Sequence, residues 1–339
     1  MSPPEPGAGA GPAAGPLDLL VIGDCNPDVM VVGGDVTPAF GQQEKLVDGI
    51  SLEIGGSASI TAVAAARLGL RVALAAAVGD DPAGRFMLAA LAAEGVDTSH
   101  VAVRSDAPTG MTVALSAGGD RAILTATGAV ATLTARDVPA ALLARARCVH
   151  VSSYFLVEDS LGPGLAALLA AARAGGAGTS LDTNWDPAQR WGDDRLTGAL
   201  AHVGLLLPNE AEALHLSGAP ALAPAVAALA AAGPRVVVKL GERGALCTDG
   251  ARYYLAEPPP VTVTDATGAG DCFDAGVIAG LLSGLDLPSA VALGCAVGTA
   301  STQAAGGTAG CPDLATAQAL AHAVTVRDLS APPPSPPHS

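Results

Sequence analysis

Short apolar runs that end in glycine or polar residues alternate with helix-like stretches along most of this chain. Runs of this kind predict buried strands, and they span residues 17–23, 71–78, 148–152, 179–182, 203–207 and 235–240. Helix-like patterns cover residues 59–68 and 84–94, and further helical stretches separate most of the later runs. The alternation predicts an α/β fold, with a central, mainly parallel sheet and helices on both of its faces.

Two segments depart from this alternation. Residues 28–54 lack a helical pattern, and residues 110–125 alternate as a hairpin around Gly118, Gly119 and Asp120. Together they predict a small β-sheet projecting from the main domain, assigned to about residues 28–54 and 103–125. Residues 1–16 and 331–339 are rich in proline and are predicted to be disordered tails, which leaves one domain over residues 17–330.

The composition of the chain restricts its possible partners and functions. The chain carries 17 basic and 32 acidic residues, a formal net charge of −15, so a nucleic acid is not expected as a partner. The phosphate of a small substrate remains compatible, because backbone N–H groups can bind it locally. The chain is 50% hydrophobic, which excludes disorder throughout.

Neither a membrane nor export is expected. The apolar run at residues 221–232 is too short to span a bilayer, and residues 1–16 lack the pattern of a signal peptide. We therefore expect a cytoplasmic protein without a membrane partner. Its six cysteines form no C-x-x-C pair and are expected to be buried small hydrophobic residues.

The strongest motif runs from Asp265 to Gly276, with the sequence DATGAGDCFDAG. It follows a β-branched stretch at residues 261–264, interpreted as a strand end, and precedes a helix predicted from Asp271 to about Leu282. The small residues at 268–270 would direct N–H groups out of the helix N-terminus and form an anion hole. Asp271 is either a helix cap or a general base for a hydroxyl attacking phosphorus.

Other nucleotide and catalytic motifs are missing from the sequence. No P-loop, H-E-x-x-H or G-x-S-x-G motif occurs, and Phe273 replaces the third glycine of a dinucleotide fingerprint. The six histidines are dispersed and are expected to be structural or exposed. An NAD-dependent oxidoreductase is therefore disfavoured.

The chain resembles the PfkB carbohydrate kinase family, also called the ribokinase family. The stretch 265–276 is similar to the C-terminal signature of that family, with Ala266 where threonine is usual. Further landmarks follow the family order over about residues 17–325, at 55–62, 66–69, 78–84, 95–97, 208–212 and 239–245. The resemblance implies a ribokinase-like fold in which the small β-sheet is a lid.

The resemblance also implies roles around ATP and Mg²⁺. Asp271 would be the catalytic base, with the anion hole at Gly268, Ala269 and Gly270. Asn209 and Glu212 would organise Mg²⁺ and the phosphates. Lys239, Gly241 and Gly244 would line the nucleotide. Asp265 would help to hold a monovalent cation such as K⁺. Two alternatives stay open: Glu212 as a helix-surface carboxylate, and Lys239 as a strand-end charge that reaches water.

The expected substrate residues are Asn26, Asp28, Gly55, Gly56 and Asn184. Asn26 and Asp28 match the family's sugar-binding N-x-D, although Asn26 could instead cap a turn. Ile60 stands where the family has asparagine, so it either faces the substrate or points into the helix–sheet core. Trp185 and Tyr154 either frame a pocket or belong to the core or its rim.

These features predict an ATP-dependent phosphotransferase that acts on a hydroxyl of a sugar or sugar-like small molecule. The alternatives are a nucleoside kinase on the same fold and a non-catalytic sugar or nucleotide sensor. The intact Asp271 and its glycines argue against the sensor. Because lids of this family often pair, a homodimer through the lid is also an expectation.

Overall fold

A computed structural model describes residues 15–117 and 120–329. Its centre is a ten-stranded sheet in the order β14-β13-β12-β11-β10-β9-β8-β1-β4-β5. Following this sheet order from β11 to β5, each strand pairs in parallel with its neighbour. At the other end, β12, β13 and β14 extend the sheet in antiparallel pairs. The strands are β1 Leu17–Ile22, β2 Asn26–Val32, β3 Gly49–Gly55, β4 Val72–Gly79, β5 Val101–Arg104, β6 Met111–Ala117, β7 Asp120–Ala126, β8 Ala146–Val151, β9 Gly178–Leu181, β10 Leu205–Leu206, β11 Arg235–Lys239, β12 Ala245–Thr248, β13 Tyr253–Glu257 and β14 Thr325–Leu329.

Helices cover both faces of this sheet, because successive side chains of a strand point to opposite sides. Leu20 and Ile22 of β1 join one apolar core, whereas Leu19 and Val21 join the other. The helices are α1 Ser57–Arg67, α2 Pro82–Ala93, α3 Ala140–Leu143, α4 Tyr154–Val157, α5 Gly162–Ala174, α6 Asp194–Leu200, α7 Glu210–Ser217, α8 Leu222–Ala231, α9 Ala269–Leu282, α10 Leu287–Ser301 and α11 Leu314–Ala321.

A separate four-stranded sheet has the order β3-β2-β6-β7, and we call it the lid sheet. Its strand register aligns polar residues on one face, among them Asp28, Glu53 and Thr112. The opposite face is apolar, with the row Leu52, Val29, Val113 and Leu124 and, next to it, Ile50. The two faces therefore suit different partners, one polar and one apolar.

The structure confirms the predicted α/β fold, and each of the six apolar runs predicted as buried strands overlaps a strand. The predicted strand end at residues 261–264 is wrong. Three prolines precede it, and proline supplies no N–H group to a ladder, while the amides of Thr264 and Asp265 bond to the Thr302 carbonyl instead. This segment is irregular chain leading into α9.

The predicted bounds of the lid segments need one correction. The segment expected from residue 103 starts too early, because β5 pairs with β4 in the main sheet, and the lid strand begins at Met111. The predicted hairpin joins β6 to β7, although Gly118 and Gly119 lie outside the described residues. Most of the predicted tails, at residues 1–14 and 331–339, also lie outside them.

Within residues 15–117 and 120–329, no single helix has both the length and the hydropathy to cross a membrane. α7 and α8 meet that requirement only as a pair, and they are bent by 63° at the break between them.

Candidate functional site

A glycine turn at the start of α9 forms the centre of the candidate site. Gly268 is the N-cap, with φ 69°, and a Cβ there would lie 2.7 Å from the Gly307 carbonyl oxygen, so only glycine fits. The amide of Ala269 donates to the Ala266 carbonyl at 3.3 Å. In the part of the chain that the structure describes, the amides of Gly268 and Gly270 show no such acceptor, which leaves them available to an anion at the helix N-terminus.

Asp271 lies in the first turn of α9 and is only 8% exposed. Burial, with the nearby Asp182 carboxylate, raises the pKa of Asp271 to about 7, and Lys239 partly offsets this rise. A carboxyl group with this pKa gains and loses a proton near neutral pH, as a general base requires. Of the two roles considered for Asp271, helix cap or general base, this pKa favours the general base.

Lys239, at the end of β11, is the centre of a buried charge cluster. Its Nζ donates to Asp182 at 2.6 Å and to Asp274 at 3.2 Å. Burial opposes the charge of Lys239, but the two carboxylates outweigh it and raise the lysine pKa. Burial raises the pKa of Asp274 well above its usual range, whereas Lys239 overcomes burial and lowers the pKa of Asp182. Lys239 thus borders the expected nucleotide region with its ammonium group already paired.

Asn209 and Glu212 form a reciprocal cap at the N-terminus of α7. The backbone N–H and the side-chain Nδ2 of Asn209 donate to the Glu212 carboxylate at 2.8 and 2.6 Å. In return, the backbone N–H of Glu212 donates to Asn209 Oδ1 at 2.9 Å. Glu212 is 4% exposed, so the alternative of a surface carboxylate is wrong. Burial, together with Asp182, raises its pKa to about 7.

A cavity of about 560 Å³ opens beside this cluster. Lys239, Gly241, Gly244 and Gly270 line its polar end, and Val263 and Phe273 belong to its apolar wall. Gly241 and Gly244 have φ of 61° and 85°, backbone conformations that glycine adopts at little cost. The volume is within the range of small-molecule and cofactor sites.

Asp265 connects two loops next to the glycine turn. Its Oδ1 accepts hydrogen bonds from the N–H and hydroxyl of Thr267, and its Oδ2 accepts one from Gly306 N–H at 2.9 Å. Among the described residues, no group of three or more His, Cys, Asp or Glu side chains could hold a metal ion. Asp265 and Glu212 therefore do not build a protein-only metal cage.

The expected substrate residues at the base of the lid sheet lie together. The Asn26 side chain donates to Thr112 at 3.1 Å and to Asp28 at 3.3 Å. A Cβ on Gly55 would overlap the Asp28 carboxylate, and one on Gly56 would lie 3.0 Å from Asn26 Oδ1. Both glycines are needed for this close packing.

Asn184 connects the segments that follow β8 and β9 of the main sheet with the start of α1. Its side chain accepts from Ser153 N–H and donates to Ser57 Oγ, both at 2.8 Å. Asn184 and Ser153 both have φ of 56°, an uncommon conformation for residues other than glycine that is often found at functional sites. Asp24 caps α1 next to Ser57 by accepting the N–H groups of Ser57 and Ala58.

The burial of three other residues excludes some of the alternatives stated for them. Ile60 is 3% exposed and packs against Gly268 and Gly307, so it points into the core behind the glycine turn. Tyr154 is fully buried, whereas Trp185 is 48% exposed. Tyr154 is thus a core residue, whereas Trp185 does not belong to the core.

Sequence reasoning missed Asp274 as part of the site. A signal was present, because Asp274 is a second carboxylate within an otherwise apolar helix and lies three residues after Asp271, on the same helix face. It also missed the loop at residues 302–311, which has no motif of its own yet packs against Gly268.

Comparison with known proteins agrees with this geometry. A family model described as pfkB family carbohydrate kinase matches residues 17–314. Fructoselysine 6-kinase of Shigella flexneri is 32% identical over 254 residues, covering 74% of this chain and 89% of the relative. Ribokinase of Haemophilus influenzae is 29% identical over 306 residues, covering 87% and 95%.

Solved structures show the same architecture. A structure from E. coli, described as a candidate Ribokinase II in complex with ATP and Mg²⁺, superposes with a TM-score of 0.79 at 25% identity, covering 90% of this chain and 99% of the other. A PfkB protein from Polaromonas sp. JS666 superposes with a TM-score of 0.75 at 28% identity, covering 88% and 98%. With a family model matched over most of its length, the chain belongs to the pfkB family of carbohydrate kinases.

Proposed function

We propose that this protein transfers the γ-phosphoryl group of ATP to a hydroxyl of a sugar or sugar-like small molecule, with Asp271 as the general base. The observation that carries the proposal is the buried carboxyl group of Asp271, whose pKa of about 7 places it at the proton-transfer range of a base. It lies directly after a turn whose amides can hold the transferring phosphoryl group.

The proton moves from the substrate hydroxyl to a carboxylate oxygen of Asp271 as the hydroxyl oxygen attacks the γ-phosphorus. The bond between that phosphorus and the β,γ-bridging oxygen breaks, and ADP leaves with the negative charge of that oxygen. Gly268 and Gly270 N–H groups stabilise the negative charge that the phosphoryl oxygens carry. Lys239, held by Asp182 and Asp274, keeps the cluster from becoming too negative for Asp271 to ionise. Closure of the lid sheet would exclude water, so that the sugar rather than water receives the phosphoryl group.

ATP would occupy the 560 Å³ cavity, with its phosphates toward Gly270 and its base against the apolar wall. Mg²⁺ neutralises phosphate charge when bound. Hard oxygen ligands suit it, and it commonly keeps several waters while using few protein carboxylates. Glu212, which is buried beside Asp182, fits the role of orienting such waters, with Asn209 holding it in place.

A monovalent cation such as K⁺ is proposed beside Asp265. That carboxylate fixes the loop of Thr267 against the loop of Gly306, which places a negative charge where the two loops meet. Turnover measured in KCl, NaCl and choline chloride at equal ionic strength tests this proposal. Equal rates in all three salts would contradict it.

The sugar is proposed to lie under the polar face of the lid sheet, where the Asp28 carboxylate accepts its hydroxyls. Asn26 positions Asp28, and Gly55 and Gly56 allow the ring to approach the backbone. Asn184 orders Ser57 at the start of α1, directly after these two glycines. Relatives that phosphorylate sugars, among them a fructokinase of Klebsiella pneumoniae that is 33% identical, support this substrate class.

A homodimer is proposed through the apolar face of the lid sheet. Ile50, Leu52 and Leu124 are 67%, 44% and 64% exposed, and such a continuous apolar face is unusual on a monomer. Light scattering after size exclusion tests it with Leu52→Asp, which should give monomers. Leu320→Asp, at an exposed leucine of α11, is the matched control and should leave the dimer intact.

The activity test is an ADP-release screen against sugars, sugar acids, sugar phosphates and nucleosides. We expect a sugar to be phosphorylated, and Asp271→Asn to lower kcat by roughly 10²–10⁴ with ATP binding retained. Asp80→Asn, at an exposed carboxylate, should retain wild-type turnover. The proposal would be contradicted if no acceptor raised ADP release above background, or if Asp271→Asn turned over at a near-normal rate.

A further inference from the structure

Two buried cysteines meet behind the glycine turn. The Sγ atoms of Cys272 and Cys311 are 2.7 Å apart, although the residues are 39 positions apart in the chain. Both thiols are free and buried, and Cys272 follows Asp271 directly in α9. The kinase activity makes no use of either sulfur.

Cys311 belongs to the connection between α10 and α11, residues 302–313, which contains no helix or strand. This connection supports the glycine turn from behind. Gly306 N–H donates to Asp265, Gly307 packs against Gly268, and the Thr308 carbonyl accepts a hydrogen bond from Arg67. All of these contacts are non-covalent, so the support of the turn depends on a segment that lacks regular structure.

We propose that Cys272 and Cys311 are a redox modification site, in which a hydroperoxide converts the two thiols into a disulfide that fixes this connection to the first turn of α9. Cys311 is the first to react, because it retains 8% exposure whereas Cys272 has none. Its sulfur attacks one peroxide oxygen, giving a sulfenic acid and water. The Cys272 sulfur then displaces the sulfenic oxygen, which leaves as a second water.

Atoms and electrons balance in this sequence: two thiols and one hydrogen peroxide give one disulfide and two waters. The two sulfurs together lose two electrons, and the peroxide oxygens gain them. The side-chain hydrogen bond with Cys311, together with burial, keeps the pKa of Cys272 well above its usual range. Cys272 therefore reacts as a neutral thiol, and its proton leaves with the sulfenic oxygen in the second water. Opening of the connection at residues 302–313 lets peroxide reach Cys311, since segments without regular structure open more readily than the sheet.

The bond should stabilise the fold without stopping turnover. The sulfurs need to approach by less than 1 Å to reach bonding distance, so the glycine turn keeps its shape and kcat should change by less than about threefold. Closing a loop of this length restricts the unfolded chain and should raise Tm by about 5 °C. Under oxidising conditions the disulfide thus fixes the segment that supports the anion hole to α9.

Peroxide treatment of the full chain tests this inference. We expect the loss of two of the six thiols, a peptide cross-linked between Cys272 and Cys311 by mass spectrometry, and a higher Tm that a dithiol reductant reverses. Cys311→Ala should abolish the cross-link and the Tm rise, whereas Cys148→Ala, at another buried cysteine, should retain both.

Absence of the cross-linked peptide in the wild type, or a Tm rise that persists in Cys311→Ala, would overturn the inference. Because the wild-type cross-link is read directly, the test does not depend on a variant that folds. These readouts also require no substrate, so they remain valid whichever sugar the enzyme accepts.

Discussion

Replacing Asp271 with asparagine should stabilise the folded protein at neutral and alkaline pH, even though the same change removes the base. Burial raises the pKa of Asp271 from 3.8 to about 7. Ionising this group therefore costs free energy in the folded state that it does not cost in the unfolded chain. Asparagine has nearly the same shape but cannot ionise, so the cost is removed.

The size of the effect follows from the pKa shift of about three units. At about 1.4 kcal/mol per unit, the free energy of unfolding should rise by up to about 4 kcal/mol at pH 8. For a chain of 339 residues this corresponds to a rise in Tm of about 6 °C.

The sign depends on pH. Below about pH 4, Asp271 is protonated in both states and the variant gains nothing. Between pH 4 and pH 7 only the unfolded chain has released its proton, so the wild type loses stability as pH rises, and the gain of the variant grows. Above about pH 7 both states are ionised and the gain is constant.

Calorimetric melting of both proteins at pH 4, 5.5, 7 and 8.5 checks this prediction. Asp80→Asn is the control, because its carboxylate is exposed and its ion pair with Arg85 lies at the surface, where such pairs contribute little. An unchanged Tm for Asp271→Asn at pH 8.5, or a gain that does not vary with pH, would refute the link between burial and the base.

Three further changes test other parts of the site. Lys239→Met should lower the free energy of unfolding in denaturant titrations by about 3–5 kcal/mol, because it leaves buried carboxylates without their partner, whereas Lys45→Met removes only a surface pair and should cost under about 1 kcal/mol. Asp28→Ala should raise KM for the sugar at least about tenfold in steady-state assays without changing KM for ATP. Ile60→Asn should lower Tm, since it buries an amide in the core, and leave the order of substrate preference unchanged; a changed order would return Ile60 to the substrate pocket.

Local sequence was sufficient to predict most of the fold. A strand buried on both faces needs a continuous apolar run, as in residues 19–22 and 236–238, and a helix needs its own period, so both signals lie within a few neighbouring residues. The error at residues 261–264 arose because β-branched residues suggested a strand, while the three prolines before them and a distant carbonyl at Thr302 determined the backbone.

By itself, the sequence determined the parallel sheet, the lid segments and the glycine turn followed by Asp271, because the pattern that predicts each element lies in neighbouring residues. Only the tertiary structure decided that Lys239 pairs with Asp182 and Asp274, that Glu212 is buried, and that Ile60 supports Gly268 from the core. These contacts join residues far apart in the chain. The proton affinity of Asp271 likewise depends on how completely other segments exclude water from it and which charges they bring near, and no local pattern of residues contains that information.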